Sequence, residues 1–333
     1  MAYLRKILKI VLPLILGGGI LYWMYRNTDF ESMKHLFLDE MNWWRMLLSF
    51  PFGISAQVFR GLRWKQTLEP IGEEPRTSTA INSIFISYAA SLVIPRIGEF
   101  SRCAILKKHD GISFTKSLGT VVTERAVDTL IMGIMTAIIL LLQMPVFASF
   151  FMKTGTKFDT IFTMFTQAGW IVTAICGIAA LIGLWIFRRH IIFYDKVKTS
   201  VEGIVEGVMS LKKVKNVPLF VFYSLGIWAS YFLHYYLTFF CFNFTAELGL
   251  NAALVTFIVG TVAVIVPTPN GAGPWHFAVK TMLVLYGVAE LNALGFVFVV
   301  HTVQTMLVVA LGLYAMAWLS ITHKTETSNI KDC

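Results

Sequence analysis

The stretch Ile94-Pro95-Arg96-Ile97-Gly98-Glu99 decides how this chain folds, because it interrupts an apolar segment with a proline, a glycine and two charged residues. Proline and glycine together stop a helix, since proline lacks the backbone donor and glycine costs conformational entropy. The sequence therefore predicts that the segment before the break, residues 79–95, ends here rather than continuing.

The composition around this break is that of a membrane protein. Hydrophobic residues make up 56% of the 333 residues and charged residues 14%, against about 25% charged in an average soluble domain. The apolar residues are clustered in long runs, and a bilayer crossing takes about 20 mostly apolar residues. We predict an all-α polytopic membrane protein with eight hydrophobic segments. They cover residues 7–25, 43–62, 79–95, 117–143, 168–187, 218–241, 251–267 with 275–287, and 291–320.

Basic residues assign the sides of the membrane, because Lys and Arg concentrate in cytoplasmic loops. Residues 96–116 and 188–216 are both rich in Lys and Arg, whereas 242–250 has neither. Both basic segments are cytoplasmic only if residues 79–95 enter from the cytoplasm and return. The prediction is then six full spans and two re-entrant hairpins in the cell (cytoplasmic) membrane, with both termini cytoplasmic.

The second hairpin is predicted at residues 267–274, a run of prolines and glycines followed by a short apolar piece. Residues 43–143 and 218–320 then share one order of span, broken hairpin and span, which suggests an inverted repeat. Transporters often use such repeats, with broken helices meeting at the substrate site. Residues 1–322 form one membrane domain, residues 323–333 a cytoplasmic polar tail, and residues 194–213 an amphipathic surface helix.

Several function classes lack support in the sequence. The net charge of +9 sits between apolar runs, where membrane topology explains it, so nucleic acid is not expected as a partner. The four cysteines form no CxxC pair, which predicts neither a zinc site nor a disulfide framework. Phosphate-loop, metalloprotease, serine-hydrolase and dinucleotide motifs are missing. We therefore predict no catalytic residue, no cofactor and no enzyme activity.

Three polar clusters lie within or next to the apolar segments, where ionisable residues are energetically costly and usually functional. Arg96, Glu99 and Arg102 follow the first break, and arginine suits phosphate because its fork donates two hydrogen bonds. A surface ion pair is the alternative. Glu124, Arg125 and Asp128 lie in the fourth segment: the two carboxylates face one way, and Arg125 is expected to pair with one of them. Arg96, Arg102 and Arg125 would bind the lipid phosphate, and Glu99, Glu124 and Asp128 would balance charge or carry a coupling proton. A structural ion pair is the alternative for the second cluster.

The third cluster is the second hairpin itself. Its glycines are expected to leave backbone N–H groups free for a ligand, and the helix after it would point its positive end at an anion. The predicted phosphate-binding residues in this cluster are Asn270, Gly271, Gly273, His276 and Lys280. A plain connecting loop is the alternative. A further set of polar residues is interpreted as helix-packing or interface groups: Arg60, Arg63, Asn82, His234, His301 and Gln304.

In order and spacing, four motifs resemble the lysylphosphatidylglycerol synthase transmembrane family. They are Arg60-Gly61-Leu62-Arg63-Trp64, then residues 95–102 (PRIGEFSR), Glu124-Arg125 with Asp128, and residues 267–273 (PTPNGAG). The resemblance implies a flippase-like protein that translocates a lipid, here expected to be an anionic phospholipid or polyprenyl-phosphate lipid. The family's soluble synthase half is absent from the sequence, so synthase activity is not expected.

The sequence departs from the family pattern in the last motif. Asn270 stands where a glycine is usual, and His276 where a glutamate is usual. Alternatives to a transporter are an intramembrane lipid-modifying transferase and a non-catalytic partner of a separately encoded synthase. A homo-oligomer and such a separate enzyme are the protein partners left open.

Overall fold

The computed structural model describes residues 15–26, 30–35, 39–144 and 209–331, and the described chain is helical with no strand. This confirms the all-α polytopic prediction. The α-helices in chain order are α1 (Ile15–Tyr25), α2 (Phe30–His35), α3 (Trp43–Leu68), α4 (Thr77–Ser91), α5 (Ile97–Asp110), α6 (Phe114–Leu142), α7 (Val217–Phe239), α8 (Asn243–Ala246), α9 (Gly249–Ala263), α10 (Pro274–Leu285) and α11 (Glu290–Lys331). Short 3₁₀ turns cover Glu69–Ile71, Ser210–Lys213 and Pro269–Gly271.

Helices α3 and α7 begin in the same way and pack against each other. Each follows an asparagine, Asn42 or Asn216, whose side chain accepts a hydrogen bond from the backbone three residues on, as a helix N-cap does. Where they cross, Gly53 of α3 lies against His234 of α7, and Gly226 of α7 lies against Phe59 of α3. Small residues at both contacts let the two backbones come close, which is how membrane helices associate.

The first break forms as predicted. Helix α4 ends at Ser91, Arg96 adopts a left-handed φ of 64°, and α5 begins at Ile97 and packs back along α4. The approach is tight, since a Cβ on Gly98 would lie 2.1 Å from the Ser87 carbonyl oxygen. Glycine is therefore required at position 98 for the hairpin to close.

The second break has the same design with a longer connection. Helix α9 ends at Ala263, and α10 begins at Pro274 and packs against α9. Between them Asn270, Gly271 and Gly273 have φ angles of 52°, 70° and 91°, a region that glycine enters freely and asparagine more readily than most residues. Helix α1 packs on this loop through Gly17, whose carbonyl oxygen lies 2.8 Å from a Cβ built on Gly273.

The two halves pack reciprocally. The first hairpin contacts α11 of the second half through α4, and the second hairpin contacts α6 of the first half through α9. Gly312 of α11 lies directly on Ala89 of α4. The order of long helix, broken hairpin and long helix thus occurs twice along the chain.

Three described helices are long and apolar enough to cross a membrane: α6, α7 and residues Glu290–Thr322 of α11. Most of the apolar surface of α6 faces outward, with Leu130, Leu141 and Leu142 each more than 60% exposed, as expected for a lipid-facing helix. The predicted span 168–187 and most of the surface helix 194–213 lie outside the described residues.

Candidate functional site

The first half encloses a network of charged side chains with Arg63 at its centre. Arg63 is fully buried, and each of its three guanidinium nitrogens has a partner. Its Nε lies 3.3 Å from Glu124 Oε1, its Nη2 lies 2.8 Å from Asp128 Oδ1, and its Nη1 donates to Ser224 Oγ at 3.3 Å. This one side chain therefore joins α3 to both α6 and α7.

Two further arginines complete the network. Arg60, one turn before Arg63, places Nη1 2.6 Å from Asp128 Oδ2. Arg102 of α5 places Nη1 2.7 Å from Glu124 Oε2 and stacks on the Trp64 ring at 4.4 Å. The Trp64 indole in turn donates to Thr120 Oγ1 at 2.9 Å. Glu124 and Asp128 do face the same way, as their spacing predicts, and together they bind all three arginines.

The charges in this network do not cancel. Three guanidinium groups meet two carboxylates, and Arg102 and Glu124 are at most 1% exposed. Arg102 Nε and Nη2 and Arg60 Nε find no hydrogen-bond partner among the described residues. Buried ion pairs repay their desolvation only when the geometry is good, and removing one partner is strongly destabilising. The network therefore ties α3, α5 and α6 into a unit that resists rearrangement.

Two of the predicted phosphate ligands lie elsewhere. Arg125 was expected to pair with Glu124 or Asp128, and this is wrong: its Nε lies 2.9 Å from Glu99 Oε1, with the Arg125 side chain 47% exposed. Adjacent residues on a helix point in different directions, so Arg125 faces away from the network. Arg96 is exposed in the turn between α4 and α5. The structure thus separates Arg102 from both Arg96 and Arg125.

The second half carries a neutral polar cluster around Asn270. The Asn270 amide donates to Thr305 Oγ1 at 2.7 Å, and the Asn270 backbone oxygen lies 3.1 Å from His301 Nε2. These contacts attach the broken loop to α11. The left-handed backbone at Asn270 directs its side chain to that helix.

His276 lies behind His301, with 4.4 Å between their ring centroids. The His276 ring accepts from the Gly273 backbone N–H at 3.4 Å, and the rings of Trp275 and Tyr25 lie next to it, nearly perpendicular. The pair therefore links α10 and α11 next to the loop. Lys280, one turn further along α10, is bound to Glu290 at 2.7 Å.

The glycine N–H groups are not free, contrary to expectation. Gly271 donates to the Thr268 carbonyl, Ala272 to that of Pro269, and Gly273 to His276. The glycines are required by their φ angles and by the close approach of α1. The backbone donors of Gly271, Ala272 and Gly273 are therefore already in use.

A cavity of about 620 Å³ lies where the two breaks approach α11. Its polar lining residues are Asn270, His301, Thr302 and Thr305, and Leu92 from the first break also lines it. The remaining wall is apolar, and several of its residues on α11 are exposed on the outer surface, among them Met306, Val309 and Leu313. The cavity thus has a polar end and an apolar side that opens outward.

Sequence reasoning missed the central roles of Arg60, Arg63 and His301, which it interpreted as packing groups. For the two arginines, the residue spacing could have indicated the role. Arg60 and Arg63 are three apart on α3, and the two carboxylates are four apart on α6, so each pair lies on one face of its helix. His301 gave no comparable signal, because its partner Asn270 is 31 residues away on a broken loop. Among the described residues, no three His, Cys, Asp or Glu side chains converge as metal ligands.

The comparison with known proteins agrees with this architecture. The family model described as lysylphosphatidylglycerol synthase TM region matches residues 10–312, which include both hairpins, the charged network and all of the cavity lining except Leu313. The chain belongs to this family. No curated protein and no solved structure matches the chain. Membership in the lysylphosphatidylglycerol synthase transmembrane family, together with the apolar helices, identifies a membrane protein.

Proposed function

We propose that this protein translocates an anionic lipid, of the phospholipid or polyprenyl-phosphate type, across the cell membrane. The observation that carries the proposal is the cavity between the two helix breaks, because its polar end and apolar wall match the two parts of a lipid. Family membership supports a role in lipid metabolism or transport.

In this proposal the head group binds at the polar end, next to Asn270, His301 and Thr305. The acyl chains lie along α11, against Met306, Val309 and Leu313, which face outward. Pockets of this kind combine a mostly apolar lining with a few polar groups that fix orientation. A lipid would enter the cavity laterally from the membrane, and its acyl chains would stay in the bilayer interior.

The arginines divide into two roles. Arg96 is exposed in the same turn that supplies Leu92 to the cavity, so in this proposal an arriving phosphate would meet Arg96 first. Arg102 is held by Glu124 and Trp64, so it would meet a phosphate only after α5 moves. The carboxylates Glu124 and Asp128 balance the arginines.

We further propose that the protein acts as a transporter rather than an enzyme, with the membrane lipid as its main partner. The cytoplasmic side would hold both termini. A homo-oligomer or a separately encoded lipid-modifying enzyme would add to this activity without being required for it.

Reconstitution in liposomes tests the proposal. Liposomes carry a trace of anionic lipid with a fluorescent head group, and an impermeant reductant bleaches the label in the outer leaflet. The wild-type protein should speed loss of the inner-leaflet label over protein-free liposomes. Ala310→Trp, which places a large ring on the cavity wall, should slow this several-fold.

The matched control is Ala317→Trp, two turns further along the exposed surface of α11 and outside the cavity lining. It should move lipid at the wild-type rate. Equal rates for Ala310→Trp and wild type would contradict the cavity as the route. Conversion of the labelled lipid to a new product by the purified protein with a candidate donor would favour the transferase.

A further inference from the structure

The cavity lacks a fixed charge. None of its lining residues is Asp, Glu, Lys or Arg, and the titratable residue in the lining is His301. An ionised group transferred into an apolar environment costs many kcal/mol unless a partner neutralises it. An anionic head group in this cavity therefore needs a positive charge that the unprotonated cavity does not supply.

The histidine pair is placed to supply that charge. His301 lines the cavity, and His276 lies directly behind it with 4.4 Å between ring centroids. Histidine changes its charge between about pH 5 and 8, unlike the other side chains of the cavity. Two imidazoles this close would repel if both were charged, so the pair takes up one proton rather than two.

The surroundings of the pair leave the charge uncompensated by protein. Asn270 offers His301 its backbone oxygen, which favours a ring N–H there. Helix α9, which packs on α10, has no ionisable residue. Among the residues whose side chains are described, the other titratable or charged groups on the elements packed around the pair are Tyr22 and Tyr25 of α1, Tyr88 of α4, Arg96 in the turn after α4, Tyr314 of α11, and the ion pair of Lys280 with Glu290. Tyr25 donates to the Leu294 carbonyl, and Tyr88 is bound to Tyr231.

We propose that His276 and His301 together bind one proton when an anionic head group enters the cavity, so that lipid and proton move as a neutral pair. This inference rests on the proposed function and names its coupling ion. Uptake places one proton on the imidazole pair and one anionic head group at Asn270 and Thr305. Release of the head group on the far side returns the proton to water there. Glu124 and Asp128 are bound to arginines and are not the proton carriers in this scheme.

The first experiment measures the proton directly. Purified protein in weakly buffered detergent near pH 7 receives a short-chain phosphatidylglycerol, and a pH-sensitive dye follows the solution. Binding should withdraw up to about one proton per lipid bound. Short-chain phosphatidylcholine, which is zwitterionic, should withdraw none. Binding of the anionic lipid without proton uptake would overturn the inference.

The second experiment compares histidine variants in the liposome assay. Movement of anionic lipid by wild type should rise by up to about tenfold per pH unit as the pH falls through the range where the pair is mostly unprotonated. His301→Gln and His276→Gln should lose this dependence. The control is His234→Gln: His234 is a buried histidine of α7 that contacts the Ser49 carbonyl, far from the cavity lining, and it should keep the wild-type profile.

The outcomes separate this inference from the proposed function. Undiminished, pH-independent transport by both cavity-histidine variants would overturn the coupling and leave lipid transport standing. The rate of lipid movement can contain a part that depends on pH and a part that does not. If Arg96→Gln removes the pH-independent part and the pH-dependent part persists, Arg96 supplies a second counter-charge and the histidine inference holds. If the pH-dependent part is lost as well, the histidine inference is overturned. Absence of protein-dependent movement of any lipid would defeat both. Melting curves in detergent identify variants that do not fold. If a histidine variant does not fold, the proton-uptake measurement on the wild-type protein tests the inference instead.

Discussion

The two helix breaks share one backbone plan but carry opposite chemistry. The half that contains the first break holds three buried arginines and two carboxylates, joined to the hairpin through Arg102 of α5, and Gly98 lets the two hairpin helices approach closely. The second carries asparagine, threonine and histidine beside an open cavity. Fixed buried charges hold their geometry strongly, whereas neutral hydrogen bonds worth about 1 kcal/mol exchange readily. The comparison teaches that one half serves as the frame and the other as the site.

Glu124→Gln should produce the largest effect, because it leaves Arg102 buried without its counter-charge and removes one of the two carboxylates that bind Arg63. Breaking a buried pair costs about 3–5 kcal/mol. We expect a strongly lowered melting temperature in detergent and little folded protein. Glu99→Gln removes the partly exposed partner of the half-exposed Arg125 and should cost less than about 1 kcal/mol. Similar melting temperatures for the two variants would contradict a frame held by buried charge.

Arg63→Lys should come next. Lysine cannot satisfy Glu124, Asp128 and Ser224 at once, since it is a point charge and not a planar fork. Loss of one hydrogen bond to a charged group costs about 1.5–3 kcal/mol. The control is Arg102→Lys, where a single nitrogen has a partner among the described residues. In thermal unfolding, Arg63→Lys should have the lower melting temperature of the two variants. The reverse order would contradict a central role of Arg63 in the charged network.

Gly98→Ala tests the packing of the first break. Its new Cβ would overlap the Ser87 backbone oxygen, which cannot move aside as a flexible side chain would. Overpacking costs about 1–3 kcal/mol, and we expect the upper end, measured as a shift in the melting temperature. Gly133→Ala on α6, where a Cβ meets nothing within 4 Å, should be neutral or slightly stabilising. A neutral Gly98→Ala would mean that the hairpin is loose.

Asn270→Gly should have the smallest effect on stability. The lost bond to Thr305 is worth about 0.5–1.5 kcal/mol, and glycine relieves about 1–2 kcal/mol of left-handed strain at φ 52°. The net change in unfolding free energy should be near zero, while anionic lipid transport falls several-fold. A variant that unfolds readily, or one that transports normally, would remove the distinction between frame and site.

Local sequence chemistry predicted both breaks. Pro95 and Gly98 stop a helix, residues 267–274 do the same, and the distribution of Lys and Arg required the first segment to return. The structure confirms a hairpin at each place. Both breaks follow from the properties of neighbouring residues and of the bilayer, so they can be predicted from a single sequence.

Partners across helices were harder to predict. The spacing of Glu124 and Asp128 predicted that they share one face of their helix. Their arginine partners on α3, however, lie 61 and 68 residues away in the sequence. No local rule determines which helices pack together. The assignment of Arg125 was avoidable, because a residue adjacent to Glu124 cannot share its direction. The cavity itself depends on how α11 crosses both breaks, and that is a property of the assembled helices.

The sequence separation of the arginine partners also has a consequence for synthesis. Arg60 and Arg63 leave the ribosome 61–68 residues before Glu124 and Asp128, a delay of about 3–14 s at 5–20 residues per second. During that interval α3 holds two unpaired arginines near its C-terminal end, each costing at most about 2.5–3.5 kcal/mol, the mid-membrane value on insertion scales. We therefore expect α3 to wait beside the insertion machinery until α6 arrives, so that the two helices enter the lipid together.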